Sequence, residues 1–532
     1  MKKLVSLVLA MMMILALVPM TSASADTIKK TGTGSSPDDP LFDPSLGLTL
    51  TVYAVENWGE SGKPGNDTVK EWIEARTGLK LNFIWTSADS YVEKMNLMFI
   101  SGEHFDAFNC ETLINSGRTL QSMYDDGLIV DITPYLEEYG QNLTKYVGDG
   151  FEYCKSSAGA TLAIPKRISN HRGNTPMIRA DWYAAAGFDH QPATIEELET
   201  YFQYVLDNDV NGNGDPTDEV PLVPQNLIEL QYNLLGIWLG EDGSYSTLNY
   251  VTEDGTVQRF VNHPNFMAFM EKMAEWYQKG YIWKEFFTAT TAQMQDLITG
   301  DRAGMVLTWY SGVVRPFQTV EEADPSKYYE VLGNVASPIE GVTSCYSEGK
   351  EYGPVNAVSA TSEHPEVAVA YWDWMISDPN INATVWLGIQ GEQWDWYDEE
   401  NFLFDTYDGA SDFYFKGFQS TTQFDAKDQF LYAHPTEYVS IKYDIFLKAL
   451  NDESKSYAVA KDLTVPYTKV GTDLEYMSSD AETLLEESMV SYIVGNINKA
   501  AMESAIEEYN AMYGDVYSQV YTEQYQAYIN AK

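Results

Sequence analysis

Residues Asp209, Asn211 and Asn213 put a side-chain oxygen at alternate positions of one short run, and Asp218 and Glu219 close it. Gly214 supplies the sharp turn between them, and Asp215 offers its main-chain carbonyl. Oxygens in this pattern suit a hard divalent cation, because Ca²⁺ needs about six to eight of them converging at short range. The run departs from an EF-hand, since the twelfth position from Asp209 is Val220 rather than Glu. The expected role is a structural Ca²⁺ clasp, not a sensor. A plain polar turn is the alternative, because Asn-Gly occurs twice here and is a common turn signal.

Residues 1–25 have the layout of a secretory signal. Lys2 and Lys3 lead, Leu4 to Leu17 is apolar, and Ala23-Ser24-Ala25 is a small-residue cleavage site. That apolar run is short of the roughly 20 residues of a membrane span. The mature chain is therefore expected outside the cytoplasm: secreted, surface-associated or periplasmic. A lipid-bearing Cys at the cleavage point is absent, as the first cysteine is Cys110. Lipid anchoring at that site is not expected.

The formal charge of −45 becomes −47 when the two signal lysines leave. Such a field repels nucleic acid and anionic membrane surfaces, and weighs against a polyanionic ligand. Cys110, Cys154 and Cys345 are too few for a disulfide framework and show no metal spacing. Unpaired, partly buried thiols are the expectation. A mature chain of about 500 residues exceeds a single core of roughly 250–300, so two lobes are expected.

The elements that must carry the chemistry follow a β-α-β-α-β rhythm, as in a parallel α/β sheet. A leader over 26–47, rich in Gly, Ser, Pro and Asp, reads as flexible. A strand follows from Leu48 to Val55, then a helix from Asp67 to Ala75 and a strand from Leu79 to Ile84. A helix from Asp89 to Ile100 and a strand from Phe105 to Asn109 complete the unit. Thr194 and Glu197 form a capping-box pattern before a helix to Leu206. The periodicity predicts helices over 265–278, 292–299 and 365–376, a strand over 304–309, and a helical tail over 480–530.

Several segments, in order, carry a resemblance. They include TVKEWIEARTGLKLNFIW, SGEHFDAFN, GLIVDITPYLEEYGQNL, DVNGNGDPTDEVPL, ITGDRAGMVLTW and VWLGIQGEQWDWY. Together they resemble extracellular solute-binding proteins of bacterial ABC importers, the large carbohydrate-binding group, and within it the alginate-binding and LplA-like subgroup. The resemblance implies an α/β fold of the type II periplasmic-binding-protein-like kind, with two α/β lobes joined by crossover segments and a helical C-terminus. Lobe 1 would comprise 48–164 plus 334–387, and lobe 2 would comprise 165–333 plus 388–532. It further implies a structural Ca²⁺ at Asp209, Asn211, Asn213, Asp215, Asp218 and Glu219. This chain carries an extra residue between Gly214 and the Asp-Glu pair.

Sugars offer apolar faces and polar edges, so their sites pair aromatic planes with hydrogen-bonding side chains. Ligands of α/β sheets sit beyond the C-terminal ends of strands. On that basis Glu56, Asn57 and Trp58 after the first strand, Asn109 and Glu111 after the third, and Trp309 and Tyr310 are candidates. Arg179 is a further ligand-binding candidate from the basic cluster Lys166, Arg167, His171, Arg172 and Arg179, which could recognise a carboxylate or phosphate on the ligand, although charge balance across the hinge is the simpler role. Trp394 and Trp396 in the last crossing segment complete the set, and Trp372 is expected in the core.

The function this implies is capture of an oligosaccharide for permease subunits of an ABC importer, by a monomer without enzymatic activity or a nucleic-acid partner. A secreted polysaccharide-active enzyme and a binding protein feeding a membrane sensor are the rivals. The first would need only two carboxylates. None of the six histidines is followed by Glu, so no HExxH zinc motif exists.

Overall fold

The computed structural model describes residues 27–531, apart from 57–59, 64, 157, 168–173, 241–247, 310, 349–351, 399–402, 407–456, 460, 463–464, 466, 468, 470–471, 475–476 and 478–479. The proposed signal lies outside them. In chain order the strands are β1 (Thr49–Glu56), β2 (Lys80–Ser87), β3 (Ala107–Asn109), β4 (Ile164–Arg167), β5 (Asn174–Arg179), β6 (Val220–Pro224), β7 (Asn249–Val251), β8 (Val257–Arg259), β9 (Ala303–Trp309), β10 (Tyr329–Val331), β11 (Tyr346–Glu348), β12 (Tyr352–Val358), β13 (Trp394–Asp398), β14 (Leu403–Thr406) and β15 (Tyr457–Val459).

The first sheet has the order β2-β1-β3-β12-β4. β1 pairs in parallel with β2 and β3, and β12 runs antiparallel to β3 and β4. A strand from late in the chain thus completes a sheet begun early. Alternation sends side chains to opposite faces. Leu50, Val52, Leu81, Ala107 and Ile164 join one core with Ile73 and Trp372. Tyr53, Phe108 and Ala357 join another with Tyr91 and Met95. The helices Asn66–Thr77 and Pro365–Met375 contribute to the first core, and Ala88–Ser101 contributes to the second.

The second sheet has the order β10-β5-β9-β6, with β6 and β9 parallel. Met177, Leu222 and Val306 pack there with Leu198, Leu234, Phe269 and Trp276. The C-terminal helices Asp480–Ile493, Lys499–Tyr509 and Asp515–Ala531 carry Leu485, Met502 and Tyr517 into the same core. The helical tail therefore belongs to the second sheet's layer. Thr194 caps its helix as expected, accepting from Glu197 N at 3.1 Å. Glu197 returns its carboxylate to Ala193 N rather than to Thr194 N, so the capping box is displaced by one residue.

The leader expected to be flexible is packed over 27–47. Its Ile28 N donates to Glu366 and its Ile28 O accepts from Tyr139. Leu41 N and Phe42 N donate to Arg76 O and Thr77 O at 2.9 and 3.0 Å. Leu41 and Phe42 are buried. The Gly, Ser, Thr and Asp that suggested disorder instead close turns: Asp39 accepts from Thr33 N, and Gly34 N donates to Asp39 O. The segment is a strap over the first sheet's helices.

Cys110 and Cys154 are free and buried, and burial pushes both thiols well above their ordinary pKa. Cys345 is buried as well.

Candidate functional site

The C-terminal edge of the first sheet gathers residues from all five of its strands. Glu56 ends β1 beside Ser87 of β2, Asn109 ends β3 opposite Asn356 of β12, and Lys166 lies near the end of β4. Antiparallel β12 enters at this same edge, with Tyr352 opposite Arg167.

Asn109, Glu111, Lys166 and Glu56 are each held by neighbours. Asn109 Oδ1 accepts from Thr112 N and Oγ1, both at 3.1 Å, and thereby shapes the turn into the helix Glu111–Asn115. Glu111 opens that helix, where a carboxylate meets the positive end of the peptide dipoles. Its Oε2 lies 2.7 Å from Lys166 Nζ, and both side chains are partly exposed. Glu56 accepts from Ser61 N and Oγ.

The second sheet presents its own C-terminal edge to the same chain crossing. β5 begins at Asn174, opposite Trp309 at the end of β9. Only residues 168–173 separate Asn174 from Arg167 at the first edge. A span that short reaches at most about 25 Å. The return from β10 at Val331 to β12 at Tyr352 runs between the same two edges. Glu56, Asn109, Glu111 and Lys166 therefore lie on the edge facing the crossing segments, as does the Trp309 backbone. Asn57, Trp58, Tyr310, His171 and Arg172 lie outside the described residues, as do the side chains of Trp309 and Arg167.

Arg179 is a correction. Its side chain has no exposed surface; it pairs with Asp181 at 2.6 Å and also with Asp301. Its guanidinium lies 4.4 Å from the Trp182 ring centre and 4.8 Å from that of Phe317. Burial alone would lower its pKa, but the hydrogen bonds with Asp181 outweigh that and keep it above its ordinary value. With no exposed surface, Arg179 offers nothing to a solute in this conformation and ties the second sheet's layer to Asp181 and Asp301. Trp394 is corrected likewise. It is fully buried against Ala383, and its Nε1 donates to Gly388 O at 2.9 Å. Trp396 meets it edge-to-face at 4.9 Å and donates to Asn380 Oδ1, so it is a half-buried brace on the helix Pro379–Leu387.

The oxygen-rich loop folds upon itself. Asp209 accepts from Asn213 N and Gly214 N at 3.0 and 2.8 Å. Asp218 accepts from the side-chain amides of Asn211 and Asn213, and Glu219 Oε1 accepts from Asn211 N. Asp215 turns its carboxylate to Thr217 instead, which leaves its carbonyl as the expected donor. Glu219 is 6% exposed, and among the described residues its Oε2 has no partner. Burial raises its pKa, and the neighbouring Asp218 and Asp209 add to the rise. Among the described residues no three His, Cys, Asp or Glu side chains converge as a ready metal-ligand group. The oxygens surround the loop without closing on one point.

Sequence reasoning missed Lys166 as the partner of Glu111, although the basic cluster includes it. It also missed Asn356, because β12 lacked a periodic signal.

Two α/β sheets whose C-terminal edges meet at crossing segments define a two-lobed binding protein of the type II periplasmic-binding-protein-like fold. The chain belongs to the family of bacterial extracellular solute-binding proteins, whose sequence profile matches residues 60–381. It is 24% identical over 477 residues to the lipoprotein LipO of Bacillus subtilis (strain 168), covering 86% of this chain and 88% of that protein. Solved structures share its fold, among them the following two. The Streptococcus pneumoniae ABC-transporter substrate-binding protein FusA, in complex with kestose, has a TM-score of 0.64 at 16% identity, covering 91% of this chain and 100% of that one. The alginate-binding protein AlgQ2, solved without calcium ion, has a TM-score of 0.65 at 17% identity, covering 94% and 100%. No described helix is long and apolar enough to cross a membrane.

Proposed function

We propose that the mature protein captures an oligosaccharide between lobes 48–164 plus 334–387 and 165–333 plus 388–532, and passes it unchanged to the permease subunits of an ABC importer. The observation that carries this reading is the shared orientation of the two C-terminal edges toward one set of crossing segments. That arrangement lets two lobes close on a ligand by hinge motion. Family membership supports the binding role, and the fold-sharing proteins named for kestose and alginate support a sugar. The Glu111–Lys166 pair, Asn109 and Glu56 supply hydroxyl partners. Trp58 and Trp309 are the aromatic planes expected beside them.

The ligand we favour is neutral. A charge of −47 disfavours a polyanion. Lys166 and Arg179, the cluster members whose side chains are described, are each paired with carboxylates. A thermal-shift screen of neutral and acidic oligosaccharides tests the reading. A ligand at about 100 times its Kd should stabilise by about 2.7 kcal/mol. A screen in which a peptide or lipid shifts the melting curve and no sugar does sinks the carbohydrate assignment. Release of shortened sugars by the pure protein sinks the claim that the ligand leaves unchanged.

The loop 209–219 suits a structural Ca²⁺, and Glu219 Oε2, buried without a partner among the described residues, supports this. Asp209, Asn211, Asn213, Asp218 and Glu219 would hold the ion through side chains and Asp215 through its carbonyl. Bound there, the ion would neutralise three crowded carboxylates and pin the loop after the helix Ile195–Asp207.

A further inference from the structure

A cavity of about 800 Å³ lies at the opposite end of the first sheet from its C-terminal edge. Its walls come from the strap, from the helix Asn66–Thr77 just before β2, from Asn142, from the helices Pro365–Met375 and Pro379–Leu387, and from Ile389 and Gln390 ahead of β13. None of the candidate cleft residues lines it. Its size is that of a small-molecule site, which typically measures about 300–1,000 Å³.

The chemistry of its wall is uneven. Arg76 stacks its guanidinium 3.9 Å from the centre of the Trp72 ring, and Trp72 in turn lies 6.1 Å from Trp374. Stacking fixes the guanidinium plane and leaves its N–H edge free to point at a ligand. Among the described residues, no carboxylate lies within ion-pair distance of Arg76 or of Lys30, which shares the cavity. The cavity wall thus carries two cations, of which Lys30 is felt by the buried Asp373 and Arg76 by no carboxylate among the described residues. Partial burial lowers the Arg76 pKa, and no opposing charge offsets it.

The acids that line the cavity take their hydrogen bonds from backbone and amide groups, although Lys30 is near enough to Asp373 to favour its charged form. Asp373 accepts from Asn142 N, Asn142 Nδ2 and Leu143 N at 2.6, 3.0 and 2.9 Å. Asp378 caps the next helix through Asn380 N at 2.8 Å. Arg76 and Lys30 are the cationic donors of the wall, beside neutral polar side chains such as Asn380 and Gln390, and Trp72, Leu41 and Ile381 add apolar surface.

We propose that this cavity is a second binding site, separate from the cleft, that takes a small ring-bearing carboxylate. The carboxylate would sit in the fork of Arg76, where two parallel N–H bonds fit it. Lys30 would add charge, and the ring would lie against the apolar wall. A sugar acid and an aromatic acid share this chemistry.

Calorimetric titration of the mature chain with D-glucuronate, benzoate and D-glucose tests the site. Saturable binding of glucuronate or benzoate at one equivalent is expected, with glucose binding at least tenfold more weakly. The tighter of the two acids identifies the body the site prefers. Arg76→Ala and Lys30→Ala should each weaken the acid at least fivefold, and Arg76→Lys should recover only part of the loss. Lys30→Ala removes no packed ring, so it keeps the test open should Arg76→Ala fold poorly. Lys166→Met, at the cleft edge, should leave the acid's affinity unchanged while altering oligosaccharide binding. Equal affinity for glucose, unchanged affinity in both cavity variants, or loss of acid binding in Lys166→Met overturns the proposal.

Discussion

Lys166 Nζ lies 2.7 Å from Glu111 Oε2, and this contact joins the edge strand β4 to the helix that follows β3. The two residues are 55 positions apart, and β12 lies between their strands. The pair thus sits on the rim of the first sheet where the chain leaves for the second. An ion pair with both side chains partly exposed contributes little to stability, about 0–1 kcal/mol. Its placement argues for contact with the solute. Glu111→Gln and Lys166→Met should lower the melting temperature by only a degree or two, equivalent to about 1 kcal/mol or less. Each should weaken oligosaccharide binding at least tenfold in calorimetry. Unchanged affinity in both variants would remove this edge from the cleft.

The loop 209–219 gives a prediction about metal. Glu219 is buried with one oxygen unpartnered among the described residues, and leaving a buried carboxylate oxygen unsatisfied costs about 1–3 kcal/mol. Calcium should raise the melting temperature and EDTA should lower it. Glu219→Gln should lose most of the calcium response, because it removes a charge from the set. A calcium response in Asp209→Ala and Glu219→Gln equal to that of the parent would show that the ion binds elsewhere.

Much of this architecture was legible from pattern alone. The strand at 49–56, the helix at 66–77 and the strand at 80–87 follow alternation and a glycine stop, and the observed bounds differ from expectation by a few residues. Those elements lie on a half-buried surface, where periodicity is strong. β12 and the helix Leu227–Leu239 were not read. The helix buries ten of its thirteen residues, so it has little polar face to mark its period. Arg179 was misassigned for a different reason. A guanidinium suits a ligand and a buried carboxylate pair equally, and only the fold brings Asp301, 122 positions away, to its side. Trp394 was misassigned because a segment between lobes was presumed to face the cleft, whereas its ring fills the gap beside Ala383. The strap was misread because turn-forming residues signal disorder only when nothing receives their backbone. Here the C-terminal turn of the helix Asn66–Thr77 does.

Asp373 predicts a pH dependence. It accepts two main-chain N–H groups at the start of the helix Gln141–Val147, yet burial raises its pKa above the ordinary 3.8. A carboxyl raised in the folded state binds more protons there than when unfolded. Its contribution is therefore greatest below about pH 4 and is lost as pH rises through the folded pKa. Asp373→Asn keeps one acceptor oxygen and cannot ionise. Its melting temperature relative to the parent should rise as pH goes from 4 to 7. Asp373→Ala orphans both N–H groups and should cost about 2–4 kcal/mol. A constant difference between Asp373→Asn and the parent across that range would contradict the raised pKa.

Arg179 separates stability from binding. Its guanidinium joins Asp181 to Asp301, and Lys327 lies 2.6 Å from the other oxygen of Asp301. Removing one member of a buried charge network leaves the rest uncompensated, at about 3–5 kcal/mol. Arg179→Met should lower the denaturant midpoint accordingly. Below its melting temperature the variant should still bind oligosaccharide with parental affinity. A variant of normal stability that loses binding would return Arg179 to the cleft.

Gly34 tests whether the strap is part of the folded unit. Its φ is +72°, where residues with a Cβ are strained. A Cβ there would also stand 2.4 Å from Trp374 Nε1, the atom that donates to Gly34 O at 3.0 Å. Trp374 is buried and cannot yield without disturbing the helix Pro365–Met375. Gly34→Ala should therefore cost about 1–3 kcal/mol and expose the strap to protease. Trp374→Phe keeps most of the packing but loses the donor, and should cost less. If Gly34→Ala melts with the parent and resists proteolysis over 27–40, the strap is an adherent segment whose contacts add nothing to the stability of the first sheet.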